Sequence, residues 1–168
     1  MMKTAYLVLG AESTGTRYVT SLLIAGGCKG DAEHKQRWDE DPFAGDPIVW
    51  RRSVPHARKV PVIAELVGRL MCDSYLTHAL VVWRDWNAAA RGQVAAGHVG
   101  SLEDAYENLA AAYPHIVDGL ARTRTRWTGV SYEALESGAA REALGVRLGL
   151  PHPTAMAQVE FVRSPNAL

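Results

Sequence analysis

Three short stretches of this 168-residue chain combine residue types that can act on an anion. The first is Gly10-Ala-Glu-Ser-Thr-Gly-Thr-Arg17, which holds two glycines and three hydroxyl residues. Glycines let a backbone approach a ligand closely, and consecutive amides backed by hydroxyls suit a phosphate or sulfate. The second is Arg84-Asp85-Trp86, a cation placed directly after an apolar run. The third is Tyr132-Glu133, again after an apolar run. A further stretch, Gly30 to Asp41, carries the densest clustering of charge in the chain and includes Glu33, His34, Asp39 and Glu40.

The first stretch lies close to the nucleotide-triphosphate pattern GxxxxGK[ST]. Gly10 and Gly15 have the right spacing, but Thr16 stands where lysine is required. Without that lysine, and with no evident magnesium-holding acid at a second strand end, ATP hydrolysis is poorly supported. Arg17, in the first helical turn, is the nearest cation. Each feature also has a plain structural reading. The turn can be an ordinary glycine bend, Arg17 a surface residue, Arg84 a partner of Asp85, Tyr132 a packing residue, and the charged loop a solvated one.

The elements that position these residues follow from periodicity. Ala5 to Leu9 is a continuous apolar run, as in a strand buried on both faces. Ile48–Arg52, Ala79–Trp83 and Trp127–Tyr132 are the other strand candidates. Helical spacing is found from Arg17 to the Gly26-Gly27 stop, in Pro61–Met71, in Asn87–Ala96 and in Ala139–Leu148. Ser101, with Asp104 three residues on, caps a long helix that runs to about Arg124, with a bend expected at Pro114. The segment from His152 to Leu168 shows no period. Strands alternating with helices predict an α/β three-layer sandwich, a parallel sheet flanked by helices. The expectation is one domain, with its core at about residues 4–150 and a tail over 151–168. In such sheets ligands bind beyond the carboxyl ends of the strands, where the turn, Arg52-Ser53, Arg84-Asp85 and Tyr132-Glu133 are all placed.

Composition narrows the partners. Eighteen basic and eighteen acidic side chains balance, so bulk charge points to neither nucleic acid nor an anionic membrane. Arginine outnumbers lysine fourteen to four, which favours planar, forked recognition of phosphate or sulfate. Cys28 and Cys72 form no CxxC pair and no ligand cluster with the six histidines, so no metal is expected. The N-terminal apolar run is too short for a signal peptide or a membrane span, and the expected location is the cytoplasm.

Taken in order, Ser13-Thr-Gly-Thr-Arg17, Val82-Trp-Arg-Asp-Trp86 and Val130-Ser-Tyr-Glu-Ala-Leu135 resemble the motif series of the sulfotransferases that use 3′-phosphoadenosine-5′-phosphosulfate (PAPS). The resemblance covers roughly residues 5 to 150. It implies a P-loop-like fold and transfer of a sulfuryl group to a hydroxyl or amine of a small-molecule or carbohydrate-like acceptor, with 3′,5′-ADP as product. It assigns Gly10 and Ser13, Thr14, Gly15, Thr16 and Arg17 to the 5′-phosphosulfate and Arg84 to the 3′-phosphate. It places Gln93 in the family's Ser-Gln pair and Tyr132 in its Y-E-x-L motif, where the ring can stack on a base. It also implies a proton acceptor in the loop after the first helix, here His34 or Glu33, with His56 as runner-up. His78, His98, His115 and His152 read as surface or helix-packing residues. Two positions depart from the family. Ser13 replaces a Lys or Arg, and Gly92 replaces the serine of the Ser-Gln pair, leaving Arg91 or Gln93 to compensate. Two other readings stand beside this one: a P-loop-type nucleotide or small-molecule kinase, and a non-catalytic nucleotide-binding module of the same fold.

Overall fold

The computed structural model describes residues 2–32, 44–55 and 59–162. The chain folds as β1 (Lys3–Ala11), α1 (Thr16–Ala25), β2 (Ile48–Val54), α2 (Ile63–Cys72), β3 (Tyr75–Trp83), α3 (Trp86–Ala95), α4 (Leu102–Arg122) and β4 (Arg126–Ser131). A 3-10 turn over Glu133–Glu136 leads to α5 (Gly138–Leu148) and α6 (Pro153–Gln158). The four strands form one all-parallel sheet in the order β2-β1-β3-β4. This is the expected α/β sandwich.

The alternation of β1, β2 and β3 feeds two separate cores. Ala5, Leu7 and Leu9 of β1 pack with Trp50, Leu66, Leu70, Leu109 and Ile116 under α2, α3 and α4. Tyr6 and Val8 face the other way and pack with Val19, Leu22, Leu23, Leu135 and Met156 under α1, α5 and α6. A strand buried on both faces needs a continuous apolar run, and β1 supplies it.

Sheet order fixes where a ligand can enter. From β1 the chain leaves toward β2 on one side, and from β3 it leaves toward β4 on the other. The connections therefore diverge between β1 and β3, which opens a crevice at their carboxyl ends. Gly10 sits there, paired with Val82.

Several boundaries differ from those expected. β3 begins at Tyr75 instead of Ala79, because Tyr75 and Thr77 are buried while Leu76 faces out. Such alternation is weaker to the eye than the apolar run that follows. β2 continues to Val54, so Arg52 lies within the strand, buried with its guanidinium 4.3 Å from the Trp50 ring. Arg51, on the opposite face of the strand, is the residue of this pair that borders the space beside Ser13 and Arg17. α4 runs through Pro114 as one helix, with Ser101 Oγ accepting from the Asp104 amide.

The tail carries a helix that periodicity does not reveal. Six residues of α6 pack on α5 and are held by Arg141, which is buried and donates to four backbone carbonyls. Its Nε donates to Met156 O at 3.1 Å and its Nη2 to Ala157 O at 2.7 Å. Its Nη1 donates to Leu135 O at 2.7 Å and Glu136 O at 2.9 Å. One guanidinium thus ties the tail to the turn that follows β4. Arg141→Met would strip these carbonyls of their donor in a dry site, and urea denaturation should show a loss of about 3 kcal/mol. A loss within about 0.5 kcal/mol, the range of ordinary surface changes, would mean that the tail docks without this clamp.

Candidate functional site

The turn between β1 and α1 uses one of its amides on itself, that of Thr14, which donates to Ala11 O at 3.3 Å. Ser13 (φ 65°) and Gly15 (φ 95°) both adopt left-handed backbone, the conformation that curls successive N–H groups into an anion-binding nest. Thr14 is fully buried, and its hydroxyl donates to Ala11 O at 2.7 Å, which closes the turn from inside. Gly10 leaves no room for a side chain. A Cβ there would stand 2.7 Å from both Thr14 Oγ1 and the Val82 carbonyl.

Helix α1 starts directly from this nest. Asp85, Ser101 and Ser137 each cap their own helix by accepting from a backbone amide. At α1 the N-cap is Gly15, which has no side chain to do so. The amides of the first turn, which have no acceptor within a helix, face the crevice together with the positive end of the helix dipole.

A cavity of about 470 Å³ opens here. Ser13, Gly15, Thr16, Arg17, Arg51, Arg84, Gly92 and His98 line it. Three guanidinium groups therefore border one space at the divergence of the sheet connections. A second cavity of about 450 Å³ lies at the opposite end of the sheet, among Tyr6, Tyr75, Leu76 and Arg126, away from all three motifs.

The three motifs touch one another beneath the cavity. The Tyr132 ring lies against Gly15, where an added Cβ would stand 2.1 Å from its Cδ2. Arg84 lies on the same ring, its guanidinium carbon 4.7 Å from the centroid. Glu133 Oε1 accepts from the Asp85 amide at 2.9 Å. The carboxylate of Asp85 accepts from the Ala88 amide at 2.8 Å and so caps α3. The Nε of Arg84 is buried with no hydrogen-bond partner among the described residues, a donor that an anion in the cavity would satisfy.

Tyr132, expected to line the site, is instead a packing residue beneath it and is not among the residues that line the cavity. Phe161 and Tyr18 flank its ring at centroid distances of 5.0 and 5.7 Å, and its hydroxyl donates to Val162 O at 2.5 Å. Burial pushes its phenol above the ordinary range, with Arg84 working in the opposite direction. It is therefore neutral at neutral pH and does not serve as a base.

The two departures from the family pattern prove to be neighbours. A Cβ on Gly92 would stand 3.0 Å from Ser13 Cβ. Gln93, expected in the site, is fully buried, and its amide nitrogen donates to the Glu12 carbonyl at 3.1 Å. It braces the turn from below. Arg91 is exposed on α3 and does not line the cavity.

Sequence reasoning missed three contributors. The sequence puts Arg52-Ser53 at the strand end where Arg51 borders the site, gives no role to Glu12 within the turn, and reads His98 as a surface or helix-packing residue. His98 Nδ1 lies 3.8 Å from Glu12 Oε2 at the cavity. The expected proton acceptors His34 and Glu33, with the runner-up His56, lie outside the described residues. Among the described residues no group of acids, histidines and cysteines is arranged to hold a metal, and no helix is long and apolar enough to cross a membrane.

No protein-family model, no curated protein and no solved structure matches the chain.

The contact between Gly15 and Tyr132 gives a direct test of this construction. Gly15→Ala should destabilise the protein both through the left-handed φ and through collision with the ring. In a Tyr132→Ala background the second effect disappears. A double-mutant cycle read by urea denaturation should show coupling on the order of 1 kcal/mol. Additive losses would place the ring away from the glycine in solution.

Proposed function

We propose that the chain is a sulfotransferase that binds PAPS at this cavity and transfers its sulfuryl group to a hydroxyl or amine acceptor. One observation carries the reading. The three stretches that resemble the family's motifs are far apart in sequence, yet Gly15, Arg84, Asp85, Tyr132 and Glu133 form one contact unit below a cationic cavity. A parallel sheet brings its strand ends to one rim by itself; the support lies in the specific contacts, the Tyr132 ring against Gly15 and Arg84 and Glu133 on the Asp85 amide.

The residues fit the donor's charge. The open amides of the turn, the N-terminus of α1 and Arg17 suit the 5′-phosphosulfate, and Arg84 suits the 3′-phosphate. Bound there, PAPS supplies the sulfuryl group and leaves as 3′,5′-ADP. The protein's part is to stabilise negative charge on the leaving phosphate, to orient the acceptor and to take its proton. His34 or Glu33 is the proposed proton acceptor. Ser13 stands where the family carries a cation. Arg17 and Arg51, which line the cavity beside it, take over that charge in this reading.

Thermal shift separates this reading from the alternatives. 3′,5′-ADP alone should raise the melting temperature. Stabilisation only by ATP with magnesium would overturn the proposal in favour of a kinase, and no response to either would favour a non-catalytic module. Arg84→Ala should weaken 3′,5′-ADP by about 1.5–3 kcal/mol and 5′-AMP far less, since only the former carries the 3′ group. Equal losses in calorimetry would mean that Arg84 serves the sheet.

The proton acceptor is tested by turnover. His34→Ala should keep PAPS affinity and lose about a hundred- to ten-thousand-fold in rate if His34 takes the proton. If Glu33 does, Glu33→Gln shows that loss instead. Activity in both variants with a dead His56→Ala enzyme would move the base to the segment after β2.

A further inference from the structure

The wall of the cavity formed by α3 is bare. Gly92, Ala95 and Ala96 offer no side-chain donor, and His98, just beyond the helix, is the residue on that side with ring nitrogens to offer. It is held in place from two directions. Its backbone amide donates to the Gln93 carbonyl at 2.9 Å, and its Nδ1 lies 3.8 Å from the Glu12 carboxylate. Gln93 also holds the Glu12 carbonyl, so one buried amide residue positions both members of the pair. The side chain of Glu12 is 11% exposed and that of His98 29%, so the acid is the more enclosed of the two and the imidazole faces the space.

The charged groups around that space are Arg17 from α1, Arg51 from β2, Arg84 from the end of β3 and Glu12 from the turn. A phosphate on the turn is served by the nest, Arg17 and Arg51, as proposed above. That leaves Arg84, whose buried Nε has no partner among the described residues, and His98 as donors for another anionic group. We infer that His98 and Arg84 together bind a second phosphate on the same ligand, making His98 a recognition residue for a nucleoside bisphosphate over a monophosphate. The inference rests on the nucleotide-binding reading proposed above. With Nδ1 toward the Glu12 carboxylate, Nε2 is the ring nitrogen left to meet the phosphate.

The test is the ratio of affinities for 3′,5′-ADP and 5′-AMP, measured by calorimetry on the whole chain. His98→Ala should weaken 3′,5′-ADP roughly ten- to a hundredfold and leave 5′-AMP within a factor of about two. His98→Lys, which keeps a nitrogen donor, should retain most of the preference. Melting temperatures of the variants check that each is folded. If His98→Ala lowers both affinities by the same factor, or changes neither, the assignment of His98 is overturned while the nucleotide reading stands. If the unaltered protein binds neither nucleotide, the nucleotide reading fails and this inference falls with it.

Discussion

The site depends on one steric contact, the face of Tyr132 against the bare Cα of Gly15. Position 15 must be glycine twice over: for its left-handed φ and for the room its missing side chain gives the ring. Through that contact the end of β4 sets the curl of the turn after β1. Arg84 then lies on the same ring and takes its direction from it. A polar site made of loop amides and long side chains thereby gains a rigid floor without spending a polar group on it.

Around this contact the protein uses its buried polar groups as braces. Thr14, Gln93 and Arg141 are all buried, and each donates to backbone carbonyls at chain reversals. Carbonyls in a turn have no ladder to satisfy them, and a buried donor both removes that penalty and fixes the loop. The groups that would meet a ligand are instead left with donors to spare: the first-turn amides of α1 and the Nε of Arg84. Static support and recognition are thus divided between separate side chains.

Much of this was legible in the sequence where the cause is local. The apolar run of β1, the glycine spacing of the turn and the Ser101 cap are short-range signals, and the folded elements follow them. What escaped depends on distant chain. α6 is six residues long, and its place is set by Arg141 on another helix. His98 reaches the site only because α3 ends beside Glu12. The placement of Gln93 next to the turn was readable, but its donation to a backbone carbonyl required the packing of α3 under that turn.

The approach of Gly92 to Ser13 constrains substitution at both positions. With 3.0 Å between Ser13 Cβ and the place a Cβ on residue 92 would occupy, the two positions share one small volume. A branched or bulky residue at either is tolerated only when the other stays small or the backbone gives way. Substitutions at the two sites are therefore conditional on each other, and a library that varies 13 and 92 together would keep combinations that single changes lose. A short side chain at 13 and none at 92 form a matched pair at the point where the turn and α3 meet.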